Sequence, residues 1–417
     1  MKLRSLFLAG LAVMAMASCS NDVEGVDNNV EPMKDAKMQL AITFPQATVT
    51  RAELTEDQKG EAYEQKINDL TVIVVNGASI VREYYTADQL VNGKEDIAKK
   101  NMTPAFDVPS GTATVYAYAN YGNGDKAITA SNYTTYEESA TYTGLSIDNN
   151  IASVTGENFH MNGTTVNVPI AEGETNYALV NISRVAAKIA EATETKAYTH
   201  EGKYGDKLTI TLTDYSLVNL DNKINVLNDD ANSRTEVDFY NYYAGAENTS
   251  CEDLFKNKPN IKIDAANKTS YCLANQSSIK TQVIYKAKAT FEGSVTEKDG
   301  TFYIRNNRNN EATVYTLAQL QAAFPGVYDK CTANTSIAEW AALGVKKYAA
   351  GVCYYKQDIK ANNATQILRN NYYKLNVTNI RDLGDPEIDM PNPDPLTLLE
   401  VEIKVMPWTV WNNDIIL

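Results

Sequence analysis

Two histidines, His160 and His200, are the whole imidazole supply of this 417-residue chain, and that limits the chemistry it can run. They sit in Asn158-Phe159-His160-Met161-Asn162 and Tyr198-Thr199-His200-Glu201-Gly202, neither beside a nucleophile. Schemes that need a histidine base therefore lack parts. The chain has no G-x-S-x-G, phosphate-binding glycine loop, dinucleotide fingerprint or HExxH. A carboxylate pair can hydrolyse glycosides, but 52 acidic residues offer so many pairs that their presence selects nothing. Asp221-Asn222 and Asn228-Asp229-Asp230 cluster oxygens as calcium sites do, without the twelve-residue spacing, and read as turns. No catalytic residue, metal ligand or cofactor site is expected, and the chain is not read as an enzyme. The positions that invite chemistry are ones where the chain would be acted upon. They are Cys19, a thiol behind a short apolar run, and Arg51-Ala52, a bond open to a trypsin-like cut.

The elements around these positions give them meaning. Lys2 and Arg4 precede an apolar run from Leu6 to Ala17, the layout of a targeting segment over 1–19. Met16-Ala17-Ser18-Cys19 resembles a bacterial lipoprotein signal, which would make Cys19 the lipidated first residue and give the precursor an outer-membrane lipid anchor. Met16 stands where Leu is usual, and an ordinary secretory signal is the competing reading. No other stretch approaches 18 apolar residues, so no membrane span is expected. A polar tether follows. Then Met38, Leu40, Ile42 and Phe44 alternate with Gln39, Ala41 and Thr43, the period of a half-buried strand. Arg51 stands just beyond, so one cut would detach that strand.

Composition sets the class. Hydrophobic residues at 44% support packed cores, and the length suggests two domains. A net charge of −14, with 38 basic against 52 acidic residues, argues against nucleic acid as a partner. Tyr numbers 26 against 9 Phe, and a Tyr-, Thr-, Val- and Ile-rich chain leans β. Leu70 to Val75 ending in Asn76-Gly77 reads as a hairpin arm. Gly111–Asn120, 164–170, 207–213, 280–290, 350–356 and 372–380 read as strands, 302–305 more weakly, and Ala178–Ile189 as one long strand. Helical patterns fall at 88–100, 316–324 and 335–348, with Trp340 in a core. Residues 384–395 read as a stiff Pro-rich linker. The organisation expected is a signal at 1–19, a propeptide with a removable strand at 20–51, β-sandwiches at 52–175 and 176–395, the second with a helical insertion, and a donor strand segment at 396–417. Cys251, Cys272, Cys331 and Cys353 permit two disulfides in an exported protein. Neighbours in sequence suggest Cys251–Cys272 and Cys331–Cys353, although three connectivities are open.

At the far end Val401, Ile403 and Val405 alternate with Glu402, Lys404 and Met406, ahead of Trp408, Val410 and Trp411. Such a segment either closes its own domain or fills a groove in a neighbouring subunit.

Several runs together resemble the fimbrillins, the type V pilin subunits of the Bacteroidales. They are Cys19, Thr50-Arg51-Ala52, Leu70–Val75, Thr112–Asn120, Ser183–Ile189, Arg369–Val377 and Val405–Val410. Within that family the 335–355 region and the C-terminal segment look most like the shaft subunit of short fimbriae. The resemblance implies a mainly β chain of two transthyretin-like β-sandwiches in tandem with short inserted helices. It implies a lipoprotein precursor cut after Arg51 by an arginine-specific protease, loss of the strand bearing Met38, Leu40, Ile42 and Phe44, and a groove filled by another subunit's C-terminal segment. The partners implied are other copies, related pilins and a host or bacterial surface receptor; the mature location implied is the cell-surface fimbria. The alternative is a monomeric surface lipoprotein that binds glycans or host proteins through exposed Tyr, for which cutting at Arg51 would change nothing.

Overall fold

Met38, Leu40 and Ile42 are fully buried while Lys37 and Gln39 face outward, so the N-terminal alternation folds as the strand it predicts, Ala36–Thr43 (β1). The computed structural model describes residues 34–44, 60–92, 101–227, 239–243, 250–275, 277–293, 295–306, 312–359, 366–388 and 398–407. The principal strands that follow in the first half are Asp69–Asn76 (β2), Ser79–Thr86 (β3), Asn101–Met102 (β4), Phe106–Val108 (β5), Gly111–Ala119 (β6), Met161–Ile170 (β7) and Thr175–Asn181 (β8). One sheet runs β8-β1-β4 with β5 also pairing β1, and the other runs β7-β6-β2-β3. Their facing side chains, among them Leu40, Ile42, Val72, Val74, Val115 and Val180, close one core.

The second half repeats the plan with Ala187–Glu191 (β9), Ala197–His200 (β10), Leu208–Val218 (β11), Thr269–Cys272 (β12), Gln282–Phe291 (β13), Val352–Asp358 (β14), Asn371–Ile380 (β15) and Leu399–Pro407 (β16). Sheets β12-β9-β15-β16 and β10-β11-β13-β14 enclose a second core around Ile189, Ile210, Tyr285, Tyr355 and Leu375. A third cluster joins the two. Ile73 and Tyr118, on the outer faces of β2 and β6, pack with Phe159, Ile224, Tyr271 and Leu273. This explains why β2 is apolar without alternation, because both its faces are covered. The architecture is mainly β and sandwich-like. The helices are short: Cys251–Asn257 (α1), Leu317–Ala323 (α2) and Ile337–Ala342 (α3). Trp340 on α3 is fully buried against Tyr303 and Tyr328, in the core role its spacing suggests.

Four expectations change. The helix expected from 88 is a single turn, Ala87–Gln89, capped by Thr86 and Gln89 and followed by the extended pair Val91–Asn92; residues 93–100 lie outside the described set. Ala178–Ile189 is not one strand: the chain pairs with β1 through Asn181, crosses to pair Ser183 and Arg184 with Asn162 and Met161 of β7, and joins the second sandwich as β9 from Ala187. The last pairing in the first sandwich is thus at Arg184 and the first in the second at Ala187. Residues 384–388 do not project as a linker: Asp385 bridges to Tyr354, at 2.8 Å from Tyr354 N to Asp385 O, and Glu387 accepts from Cys251 N at 2.5 Å. The disulfide expectation also fails. Cys251, Cys272, Cys331 and Cys353 are all free thiols, with Cys251 and Cys331 in separate small clusters and Cys272 and Cys353 in the main second core.

Close packing of β7 on β8 depends on Gly163, where a Cβ would lie 1.9 Å from the Asn181 carbonyl oxygen. We expect Gly163→Ala to cost about 1–3 kcal/mol, the usual range for overpacking. Gly124→Ala, whose Cβ meets nothing within 4 Å, serves as the near-neutral control in the same urea titration.

Candidate functional site: the groove around the N-terminal strand

β1 fills the middle of its sheet and is bonded along both edges. On one side it runs parallel to β8, from Lys37 opposite Thr175 to Thr43 opposite Asn181. On the other it runs antiparallel to β4 and β5, with Ala41 opposite Met102 and Met38 opposite Phe106. Between those short strands Thr103 takes over: its amide donates to Leu40 O at 2.9 Å and its Oγ1 accepts from Leu40 N at 2.9 Å. The ends are tied as well, by Lys37 N donating to Glu174 O (2.9 Å) and Ile182 N to Thr43 O (2.8 Å). Just ahead of β1, Asp35 accepts from the Ser110 amide (2.6 Å) and hydroxyl (2.8 Å), and these bonds hold its carboxyl below the usual value.

Burying Met38, Leu40 and Ile42 contributes roughly 1.5–3 kcal/mol each, on the order of 5–9 kcal/mol in all before entropy is counted. Phe44 packs at the margin of the same core, partly buried. Taking β1 away uncovers Leu70, Val72 and Val74 of the same core and leaves two ladders of backbone groups unpaired. Such an opened edge is a template for another strand.

Downstream of Arg51 the described chain resumes at Gly60 and is fixed at once. Glu64, in the turn Ala62–Gln65, is fully buried between the sandwiches. Its carboxylate accepts from Lys188 Nζ (2.8 Å), the Tyr271 hydroxyl (2.5 Å) and Glu61 N (2.7 Å), while its carbonyl accepts from Arg184 Nε (2.7 Å). Burial pulls the Arg184 guanidinium down to about 10, with Glu64 opposing that shift. Lys188 interrupts an apolar run in sequence, and this carboxylate is its reason. Glu64 itself carries no signal in the sequence.

The C-terminal strand is at home over its described length. β16 pairs antiparallel with β15 from Leu399 opposite Ile380 to Pro407 opposite Asn371. Val401 and Ile403 are partly buried against the second core. Among the described residues β16 is an edge strand, with β15 on one side. Cys19, Arg51, Ala52, Trp408, Val410 and Trp411 lie outside the described residues, as does the Val405 side chain.

His160 is buried within the fold. Its Nδ1 lies 2.8 Å from Glu138 Oε1, and its ring stacks on Tyr121 at 4.1 Å. Asp221 Oδ1 accepts from Lys223 N at 3.0 Å, a turn contact. Among the described residues no group of three or more His, Cys, Asp or Glu could hold a metal ion, and no helix is long and apolar enough to cross a membrane.

Comparison with known proteins bears on this arrangement. Residues 36–214, which begin at β1, match the family model "Major fimbrial subunit protein (FimA)". Residues 346–414, which include β15 and β16, match "Major fimbrial subunit protein type IV, Fimbrillin, C-terminal". The chain belongs to the Bacteroidales fimbrillins. A stretch of 124 residues is 37% identical to the minor fimbrium subunit Mfa1 of Porphyromonas gingivalis, covering 29% of this fimbrillin and 24% of that protein. The match thus spans about a quarter of the relative's length. A Bacteroides eggerthii crystal structure assigned to cell adhesion shares the fold at a TM-score of 0.50 and 16% identity, covering 92% of this chain and 98% of that one. A fimbrilin of Porphyromonas gingivalis aligns at a TM-score of 0.48 and 14% identity over 91% of this chain and 99% of its own.

Two outcomes check the site. Lys188→Met strands the buried Glu64 carboxylate and should cost about 3–5 kcal/mol by urea unfolding, with part recovered in the Glu64→Gln/Lys188→Met double variant. Among the four fold thiols, burial pushes Cys272 and Cys353 each up to about 12 and Cys251 higher still. Half-buried Cys331 should therefore take up iodoacetamide first under native conditions, as read by peptide mass spectrometry.

Proposed function

We propose that this fimbrillin is a structural subunit of a cell-surface fimbria that polymerises by strand exchange after β1 is removed. The observation that carries the reading is that β1 contributes a core and two ladders, yet its covalent link onward to the fold runs through the segment bearing Arg51. A cut there, by an arginine-specific protease, converts an internal strand into a bound peptide. The C-terminal segment of another subunit, from Val401 through Trp411, then fills the vacated groove by β-strand addition. Donor and acceptor are different surfaces, so the contact is heterologous and propagates as a filament. The Glu64 anchor supports this order of events, because it holds the chain just downstream of the cut while the strand upstream departs.

The lipoprotein reading of Cys19 gives a precursor tethered at the outer membrane, and a fimbria of such subunits serves adhesion to a host or bacterial surface. The match to a minor fimbrium subunit supports a structural role in a fimbria.

The test uses the chain from residue 20 onward with a low dose of trypsin, followed by N-terminal sequencing and light scattering. We expect an Ala52 N-terminus and growing polymers, and neither in Arg51→Gln. A clean Ala52 product that stays as small as the uncut control under all conditions would overturn the reading.

A further inference from the structure

On the outer face of the same sheet, β8 presents Tyr177 and Leu179 at 61% and 49% exposure, while Ala178 and Val180 between and beyond them are buried. Val166 joins them at 61% exposure. It lies in an irregularity of β7 where Asn167 adopts a φ of 58°, and the preceding Thr165 hydroxyl donates to Leu179 O at 2.7 Å. Tyr177 and Leu179, two residues apart on one strand face, with exposed Val166 on the strand whose Thr165 bonds Leu179, ask what covers them on an otherwise strongly acidic molecule.

The register of β1 answers part of this. Gln39 stands opposite Tyr177, Ala41 opposite Leu179 and Thr43 opposite Asn181. Cross-strand neighbours on one face pack together, yet β1 offers that face an amide, a methyl and a hydroxyl. The home strand completes the inner core and leaves the outer face bare.

We propose that the patch of Tyr177 and Leu179 is the docking surface for Trp408 and Val410 of a second copy's C-terminal segment. This inference rests on the strand-exchange reading above. The home ladder of β16 ends at Pro407, and Trp408, Val410 and Trp411 follow directly in sequence. A strand in the groove lies beside β8, so its outward side chains meet Tyr177 and Leu179. Alternation along the strand puts Trp408 and Val410 on one face and Trp411 on the other, so Trp408 and Val410 are the outward pair, burying apolar area that Gln39 and Ala41 cannot. The patch therefore favours the incoming segment over the strand it replaces, since the inner face alone offers both comparable aliphatic burial. It also selects among donors, because a segment without large outward apolar residues gains nothing from it.

The experiment measures binding of a fluorescent 399–417 peptide to the Arg51-cleaved chain. Tyr177→Ser/Leu179→Ser, both at exposed positions, should weaken the peptide by at least about tenfold. A peptide carrying Trp408→Ser and Val410→Ser should bind the unaltered chain as weakly as the native peptide binds the variant. Combining the two should cost little more, the coupling expected of a direct contact. The peptide arm requires no altered protein to fold. Equal binding of both peptides to the unaltered chain overturns the patch while leaving strand exchange standing. A native peptide that binds neither protein removes the strand-exchange reading and this inference with it.

Discussion

Hydrogen bonding on both edges of β1 is the constraint from which the rest of this molecule follows. A strand inside a sheet must satisfy two ladders, and here those ladders are contributed by β8 on one side and by β4, Thr103 and β5 on the other. The elements that flank it are short or at an edge, so each depends on β1 for its place. Parallel pairing to β8 has a further consequence. Parallel neighbours need a crossover between them, and the chain between β1 and β8 is most of the first sandwich. The strand is thus far in sequence from what it holds together, which is what permits a cut near it to leave the remaining connectivity whole.

The junction between sandwiches supplies the complementary constraint. Glu64, Lys188, Tyr271 and Arg184 form a buried polar cluster whose members come from the segment after Arg51, from the last first-sandwich pairing at Arg184 and from β9 and β12 of the second half. A buried charge pair adds little net stability over an apolar equivalent, but removing one partner is costly. Its effect is to make one geometry of the downstream segment far better than others. β1 is held by apolar burial and ladder bonds that another strand can reproduce, whereas Glu64 is held by partners specific to it.

Much of this is legible in the sequence. Met38, Leu40 and Ile42 announce β1 because one of its faces alternates cleanly, and Trp340 announces its core because helical spacing isolates it. The run Ala178–Ile189 misleads because burial on changing faces erases alternation, and Ser183-Arg184, where the chain pairs with β7 before leaving the first sandwich, reads as a charged interruption of one strand. Residues 88–92 mislead because Leu90 opens a helical stripe, while the Thr86–Gln89 cap closes a single turn. Asp385 and Glu387 look like linker residues among prolines, since a backbone bridge to Tyr354 has no sequence signature. The outward Tyr177 and Leu179 are hidden in the same apolar run, because which side of a strand is covered depends on its neighbours.

The most direct measurement is amide hydrogen exchange at Asn176, Ala178 and Val180, the β8 amides in phase with Ile182 N and so turned toward β1. In the uncut chain these amides should exchange slowly. After cleavage at Arg51 and removal of the released strand they should exchange fast, and in assembled material they should be slow again, protected by a strand from another subunit. Amides of β8 that keep the same protection in all three states would contradict the account, because β1 would then not be the strand whose place is exchanged.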